Sequence, residues 1–168
     1  MDKCLTYTKS SKEQMGLLAY TDADWGSDKK DRKSISGCAL FYNSNLVSWF
    51  SKKQSTVAMS SAEAEYVAAA MVSAELVYLK GIRKHFDCSD QETFLLIDNQ
   101  SAIKMLENNE NSKRTKHIDI KYQFIKDCVK NKFISLSYVP TNENIADIFT
   151  KPLNAVKHNY FSTKLKVQ

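Results

Sequence analysis

Gly16-Leu17-Leu18-Ala19-Tyr20-Thr21-Asp22 is a short apolar run that ends in an acid. Its length and hydrophobicity read as a buried strand with a carboxylate at its carboxyl end. The run Thr93-Phe94-Leu95-Leu96-Ile97-Asp98 repeats the pattern. Carboxyl ends of strands are where open sheets build their sites. Together the two runs predict a sheet with acids gathered at one end.

Outward from Asp22, a polar loop over residues 25–33 leads to strand-like runs at 35–42 and 46–50, joined at Asn43-Ser44-Asn45. Asn tolerates the left-handed backbone of a tight turn, so three consecutive antiparallel strands are expected. Residues 60–86, rich in Ala, Val, Leu and Met, read as one long helix. It is apolar on most of its circumference and therefore buried. After Asp98, Ala102, Ile103, Met105 and Leu106 form the apolar stripe of a short helix. Ile118, Tyr122, Ile125 and Val129 recur at helical spacing and predict an amphipathic helix over 119–131. Residues 133–139 alternate as Ile134, Leu136 and Tyr138, the period of a strand. Pro140-Thr141-Asn142 then turns into a last helix carrying Ile145, Ala146, Asp147, Ile148 and Phe149.

Hairpins first, then strands alternating with helices, predict an α/β domain with helices packed over a mixed sheet. The divisions expected are a polar leader over 1–14 with an extended piece at 5–8, one domain over 15–153, and a tail over 154–168. Leu153, Phe161 and Leu165 are docking points for an otherwise polar end.

The chain has 168 residues, enough for one domain with a real core, and 43% of them are hydrophobic. No apolar run approaches the ~20 residues needed to span a bilayer, so no membrane association is expected. The first residues lack the apolar stretch of a secretory signal. Cys4, Cys38, Cys88 and Cys128 are far apart with no CxxC pair, and read as reduced thiols of an intracellular protein. A formal charge of +5 suits a polyanionic partner without demanding one. Position is more informative than the sum. Lys29, Lys30, Arg32 and Lys33 form one cluster, Lys52 and Lys53 a second, and Lys113, Arg114 and Lys116 a third. Any one of them reads as a solvated face; three beside acidic motifs favour a phosphate-binding surface.

The informative residues are carboxylates in apolar surroundings. A buried charge without a partner costs several kcal/mol, so such residues are rare unless paired or metal-bound. Asp22 and Asp98 each end a hydrophobic strand; Asp24 points to the same side as Asp22 and is the alternative to it. On the long helix, Glu63 and Glu65 lie about 200° apart, so only one can face the sheet. Ser60-Ser61-Ala62-Glu63 fits a capping box, which gives Glu63 a structural task. Glu65 shares a stripe with Ala69, Val72, Leu76 and Leu79, and a metal would explain it there. Asp147 lies in the equally apolar Ile145-Ala146-Asp147-Ile148-Phe149.

Each acid taken singly reads as a cap, a rim charge or half of an ion pair; all four together read as a metal site. Converging carboxylates without counter-charge repel one another and raise their pKa values. Magnesium takes hard oxygen ligands, and two such ions about 3.5–4 Å apart can activate a water and stabilise a leaving oxygen at one phosphate. The histidines suggest no nucleophilic triad, His85 and His158 reading as surface residues, and no glycine-rich phosphate loop is present.

Six motifs occur in order: Thr21-Asp22-Ala23-Asp24-Trp25, Asp31-Arg32-Lys33-Ser34-Ile35-Ser36-Gly37, Ser60-Ser61-Ala62-Glu63-Ala64-Glu65-Tyr66, Asp98-Asn99-Gln100-Ser101-Ala102, Lys116-His117-Ile118-Asp119-Ile120 and Ala146-Asp147-Ile148-Phe149-Thr150-Lys151-Pro152-Leu153. Together, over about residues 17–153, they closely resemble the ribonuclease H domain of copia-type LTR retrotransposon Pol polyproteins. The resemblance implies a ribonuclease H-like fold, a five-stranded mixed sheet with its first three strands antiparallel, flanked by helices. It implies a catalytic and metal-binding set at Asp22, Glu65, Asp98 and Asp147, holding two Mg²⁺ ions that Mn²⁺ can replace.

The activity implied is cleavage of the RNA strand of RNA–DNA hybrids during reverse transcription, beside the polymerase domain of the same polyprotein. The place implied is a cytoplasmic virus-like particle, or the nucleus. Asn99, Gln100 and Ser101 would donate to the substrate, with helix initiation as their plainer role. Lys33, Arg114, Lys116 and His117 would hold backbone phosphates. Trp25 and Trp49 read as core or rim packing.

Two departures stand out. Relatives outside the copia type carry a His in the loop before the last Asp, where this chain reads Tyr138-Val139-Pro140-Thr141-Asn142-Glu143-Asn144. Many copia-type sequences also carry a His where this one has Gln123. The main alternative is a non-catalytic, domesticated or decayed module of the same fold that binds nucleic acid or supports a polymerase; four intact acids argue against decay. Integrase-type transposases end their acid set in Glu, and exonuclease relatives begin with Asp-x-Glu. Neither matches this chain.

Overall fold

A computed structural model describes residues 3–9, 16–86, 91–108 and 119–167, without the side chains of 119–122. Its strands are β1 (Leu17–Asp24), β2 (Ile35–Tyr42), β3 (Asn45–Lys53), β4 (Thr93–Ile97) and β5 (Ser135–Tyr138). They form one mixed sheet in the order β3-β2-β1-β4-β5. β1, β2 and β3 are antiparallel neighbours, whereas β4 runs parallel to β1 and β5 parallel to β4. The β2–β3 turn has two central residues, Asn43 and Ser44, with φ of 48° and 62°. Positive φ at both positions is the turn geometry whose twist matches that of a hairpin.

The helices are α1 (Ser61–His85), α2 (Gln100–Glu107), α3 (Asp119–Lys130) and α4 (Ala155–Lys164), with a short 3₁₀ helix at Ile145–Phe149. Ser60 caps α1 by accepting from the Glu63 amide at 3.1 Å. The Glu63 carboxylate reaches back one residue further than a standard capping box, to the Met59 amide at 2.8 Å. Asp147 lies in the short 3₁₀ turn rather than in the longer helix expected there. Asn144 caps that turn and has no exposed surface. Its Nδ2 donates to the Thr21 carbonyl at 2.9 Å while its Oδ1 accepts from the Ala146 amide at 3.2 Å.

Among the described residues, the two larger parts of the core lie one on each face of the sheet. On one face, Leu17, Ala19, Leu40, Leu95 and Ile97 pack against Tyr66, Ala69, Val72 and Leu76 of α1, Leu106 of α2 and Ile125 of α3. On the other, Ala39, Phe41 and Leu46 meet Ile145, Phe161 and Leu165. The stretch read as a tail thus carries a helix, α4, with Phe161 and Leu165 buried under it. The expected extended piece at 5–8 includes Leu5, which pairs antiparallel with Val167. The Thr6 amide donates to the Lys166 carbonyl at 3.0 Å, and the Thr8 amide to Asn45 Oδ1 at 2.9 Å. Trp25 and Trp49 are not core residues, being 53% and 52% exposed; the Trp25 indole donates to the Ala58 carbonyl. Among the described residues, Cys4, Cys38 and Cys128 are unbridged, and no helix is long and apolar enough to cross a membrane.

Candidate metal centre

The last parallel pair of β1 and β4 is Thr21 with Ile97, so the next residues, Asp22 and Asp98, leave neighbouring strands side by side. The 3₁₀ helix brings Asp147 to the same place. Two contacts hold it there: the Asn144 bond to Thr21, and a close approach over Gly37, the partner of Asp22 on β2. A Cβ at Gly37 would stand 2.6 Å from Thr150 Cγ2 and 2.9 Å from the Ala146 carbonyl oxygen. Only glycine leaves room for that turn. Asp22, Asp98 and Asp147 each offer a carboxylate oxygen, all lying within 4.8 Å of one another. Of the pair left open by alternation, Asp22 and not Asp24 joins this group.

Glu65 approaches from α1 on the opposite layer. It is not one of the three clustered acids; its Oε1 accepts from the Ala23 amide at 2.9 Å, next to Asp22. The start of α1 is in turn fixed to the sheet by buried Gln54, whose Nε2 donates to Ser36 Oγ and to the Ala64 carbonyl, both at 2.9 Å. Burial pushes the Glu65 carboxyl up to about 9, with the charges of Asp22 and Asp98 adding to the effect. Burial also raises Asp22, to about 6, although Thr150 and Lys151 pull it the other way.

Counter-charges were missing from the sequence reading, and the fold supplies two. Lys151 Nζ lies 3.0 Å from Asp147 Oδ1 and 3.5 Å from Asp22 Oδ2. Lys157 Nζ, from α4, lies 2.5 Å from Asp147 Oδ2. The Thr150 hydroxyl donates to Asp22 Oδ2. Burial pulls the Lys151 ammonium down, but Asp22 and Asp147 outweigh it, so its pKa ends above the ordinary value. Thr150 and Lys151 lie inside the last of the six motifs; Lys157 falls in the segment read as a tail, where nothing local marks it.

The donor set fits divalent cations on chemical grounds. It consists of hard carboxylate oxygens, and Asp22, Glu65 and Asp147 are at most 4% exposed. Glu65 Oε2 is buried and has no hydrogen-bond partner among the described residues. A buried carboxylate oxygen left unpaired is costly, and a cation would satisfy it.

The candidate substrate residues are less concentrated. Asn99 caps α2 by accepting from the Ala102 amide at 3.1 Å, and Gln100 and Ser101 are exposed in its first turn. Lys33 lies 3.7 Å from Asp31 on the loop after β1. Arg114, Lys116 and His117 lie outside the described residues. Gln123 is exposed on α3 and donates to Asp127 at 3.1 Å.

No protein-family model matches the chain. It is 38% identical over 135 residues, 80% of its length, to the retrovirus-related Pol polyprotein from transposon TNT 1-94 of Nicotiana tabacum. It is 34% identical over 154 residues, 91% of its length, to that from transposon RE1 of Arabidopsis thaliana. The chain spans about 10% of the length of these curated relatives. Among solved structures, it resembles LC11-RNase H1 isolated from compost, with a TM-score of 0.59 and 16% identity over 81% of this chain and 93% of that one. LC11-RNase H1 in complex with RNA/DNA hybrid gives 0.57 and 15%, over 80% and 93%. At such identities the likeness is one of fold.

Proposed function

We propose, from the premise that this is a ribonuclease H-fold chain related to the Pol polyproteins of copia-type transposons, that it cuts the RNA strand of RNA–DNA hybrids. The observation carrying the proposal is the convergence of Asp22, Asp98 and Asp147 within 4.8 Å, with buried Glu65 beside them. These acids would hold two divalent cations, Mg²⁺ or Mn²⁺, which when bound activate the attacking water and stabilise the leaving oxygen. The chain's own part is positional. Thr150 fixes the Asp22 carboxylate, Asn144 fixes the turn bearing Asp147, and the Ala23 amide fixes Glu65. The basic loop at Lys29, Lys30 and Lys33, together with Arg114, Lys116 and His117, would grip backbone phosphates, and Asn99, Gln100 and Ser101 the sugar edge. Hybrid selectivity would come from groove shape and 2′-hydroxyl contacts. The polymerase domain of such a polyprotein would be its working partner.

The test is incubation with an end-labelled RNA–DNA hybrid, with and without Mg²⁺. Single-stranded RNA and duplex DNA serve as controls. RNA-strand cleavage confined to the hybrid and dependent on the cation is expected. Absence of cleavage at any Mg²⁺ or Mn²⁺ concentration overturns it. Hybrid binding without cleavage would instead support a non-catalytic module, a reading favoured by the two lysines that pair Asp147.

A further inference from the structure

Lys157 is placed oddly for a helix. It lies in the first turn of α4, its amide donating to the Asn154 cap at 2.9 Å. Helix N-termini carry partial positive charge and disfavour a cation there. Nothing in α4 itself therefore calls for a lysine. Its ammonium instead crosses to Asp147 Oδ2 at 2.5 Å, and it lies 5.2 Å from the centre of the buried Phe161 ring, one helical turn on. Lys151 approaches Asp147 from the other side, on its Oδ1. Both oxygens of a fully buried carboxylate thus face ammonium groups, each on a side chain about one-third exposed at the mouth of the site: 32% for Lys151 and 31% for Lys157.

We propose that Lys157 is a cation built into the chain that holds the place of the divalent ion on Asp147, so that α4 sets the affinity of the centre for metal. This rests on the metal-centre reading above. A carboxylate oxygen committed to an ammonium cannot give its full charge to a divalent ion, and the two cations repel at such distances. Metal entry then requires Lys157 to swing to solvent, giving up a charge-assisted bond. Lys151 bridges Asp22 and Asp147 from the turn next to Thr150, whereas Lys157 comes from a separate helix and, among the described acids, pairs with Asp147 alone. Without metal, the same lysine relieves repulsion among the acids. The chain thereby keeps its site folded before a cation arrives, at the expense of binding that cation less tightly.

The experiment uses the whole metal-free chain without substrate, titrated with Mn²⁺ and with Mg²⁺ in a calorimeter, plus thermal unfolding in chelator. Lys157→Met keeps the stem and removes the charge. It should lower the metal-free Tm and tighten cation binding about tenfold, the equivalent of losing one charge-assisted bond. Lys157→Arg should restore wild-type values, and Lys164→Met, an exposed lysine on the same helix, should change neither. If Lys157→Met does not fold, Lys157→Gln is read in its place. Unchanged or weaker cation binding in a folded charge-removing variant overturns the inference while leaving the metal centre standing. A wild-type chain that binds no divalent cation overturns both.

Discussion

Glu65 keeps company with Ala69, Val72 and Leu76, none of which has any exposed surface. A carboxyl there holds its proton far longer than in an unfolded chain, to about 9 against an ordinary 4.5. The folded pKa is the higher one, so the stability this group adds is complete below the unfolded pKa and is lost as pH rises through the folded value. Asp22 behaves likewise over the lower span up to about 6. The metal-free chain should therefore lose thermal stability as pH rises from about 4.5 to about 9, most steeply up to about 6 where Asp22 also contributes, and Glu65→Gln should flatten the decline above that. Melting curves in chelator at a series of pH values measure this. A wild-type decline unaltered by Glu65→Gln would contradict the assignment. Glu65 was legible in the sequence because capping assigned Glu63 elsewhere and left an acid on an apolar stripe. Lys157 was not, since a lysine in a polar stretch looks like any solvated charge until α4 is folded against the sheet.

The elements differ in how openly the chain announces them. β1 and β4 are apolar runs bounded by polar residues, and α1 carries its own cap, so local pattern and final structure agree. The turn around Asp147 is shorter than its apolar content suggests, because the Asn144 side chain is committed to Thr21 and the chain is pressed against Gly37. Helix α4 is the least legible, with Phe161 its one fully buried large side chain and Leu165 buried just past its end. That economy makes α4 vulnerable. Phe161→Ala should cost about 3–5 kcal/mol, the usual range for emptying an aromatic site. Chemical denaturation reads the loss, and metal titration should show the centre changed as well, since Lys157 rides on the same helix. A loss under about 1 kcal/mol would mean that α4 is held by something other than this ring.

At the scale of the whole molecule, the sheet gathers acids at the carboxyl ends of its interior strands β1 and β4, while the exposed Lys29 and Lys30 lie on the loop that follows β1. Attraction for a polyanion should then be strong but dependent on salt. Hybrid affinity measured by fluorescence anisotropy, with cleavage blocked by chelator, should fall steeply as salt rises. Replacing Lys29 and Lys30 together by Ala should reduce the slope of log affinity against log salt by up to about 2, roughly one for each phosphate no longer neutralised. An unaltered slope would place the phosphate grip elsewhere. A mixed sheet with helices packed over it was readable from the order of runs, and the five-stranded ribonuclease H-like fold from the resemblance. The placement of the lysines was not, because Lys151 meets Asp22 from far along the chain and Lys157 reaches Asp147 only once α4 has folded back beside the turn.

Leu5 and Val167 pair with each other, and the strap that includes them reaches Asn45, beside the first residues of β1. From Leu17 to Asp22 the strand runs roughly 17 Å at about 3.3 Å per residue. Any polypeptide joined at either end is therefore tethered to the pole of the sheet away from the carboxylates. A neighbour fused there would leave the carboxylate end of the sheet free for the duplex that the proposed activity requires.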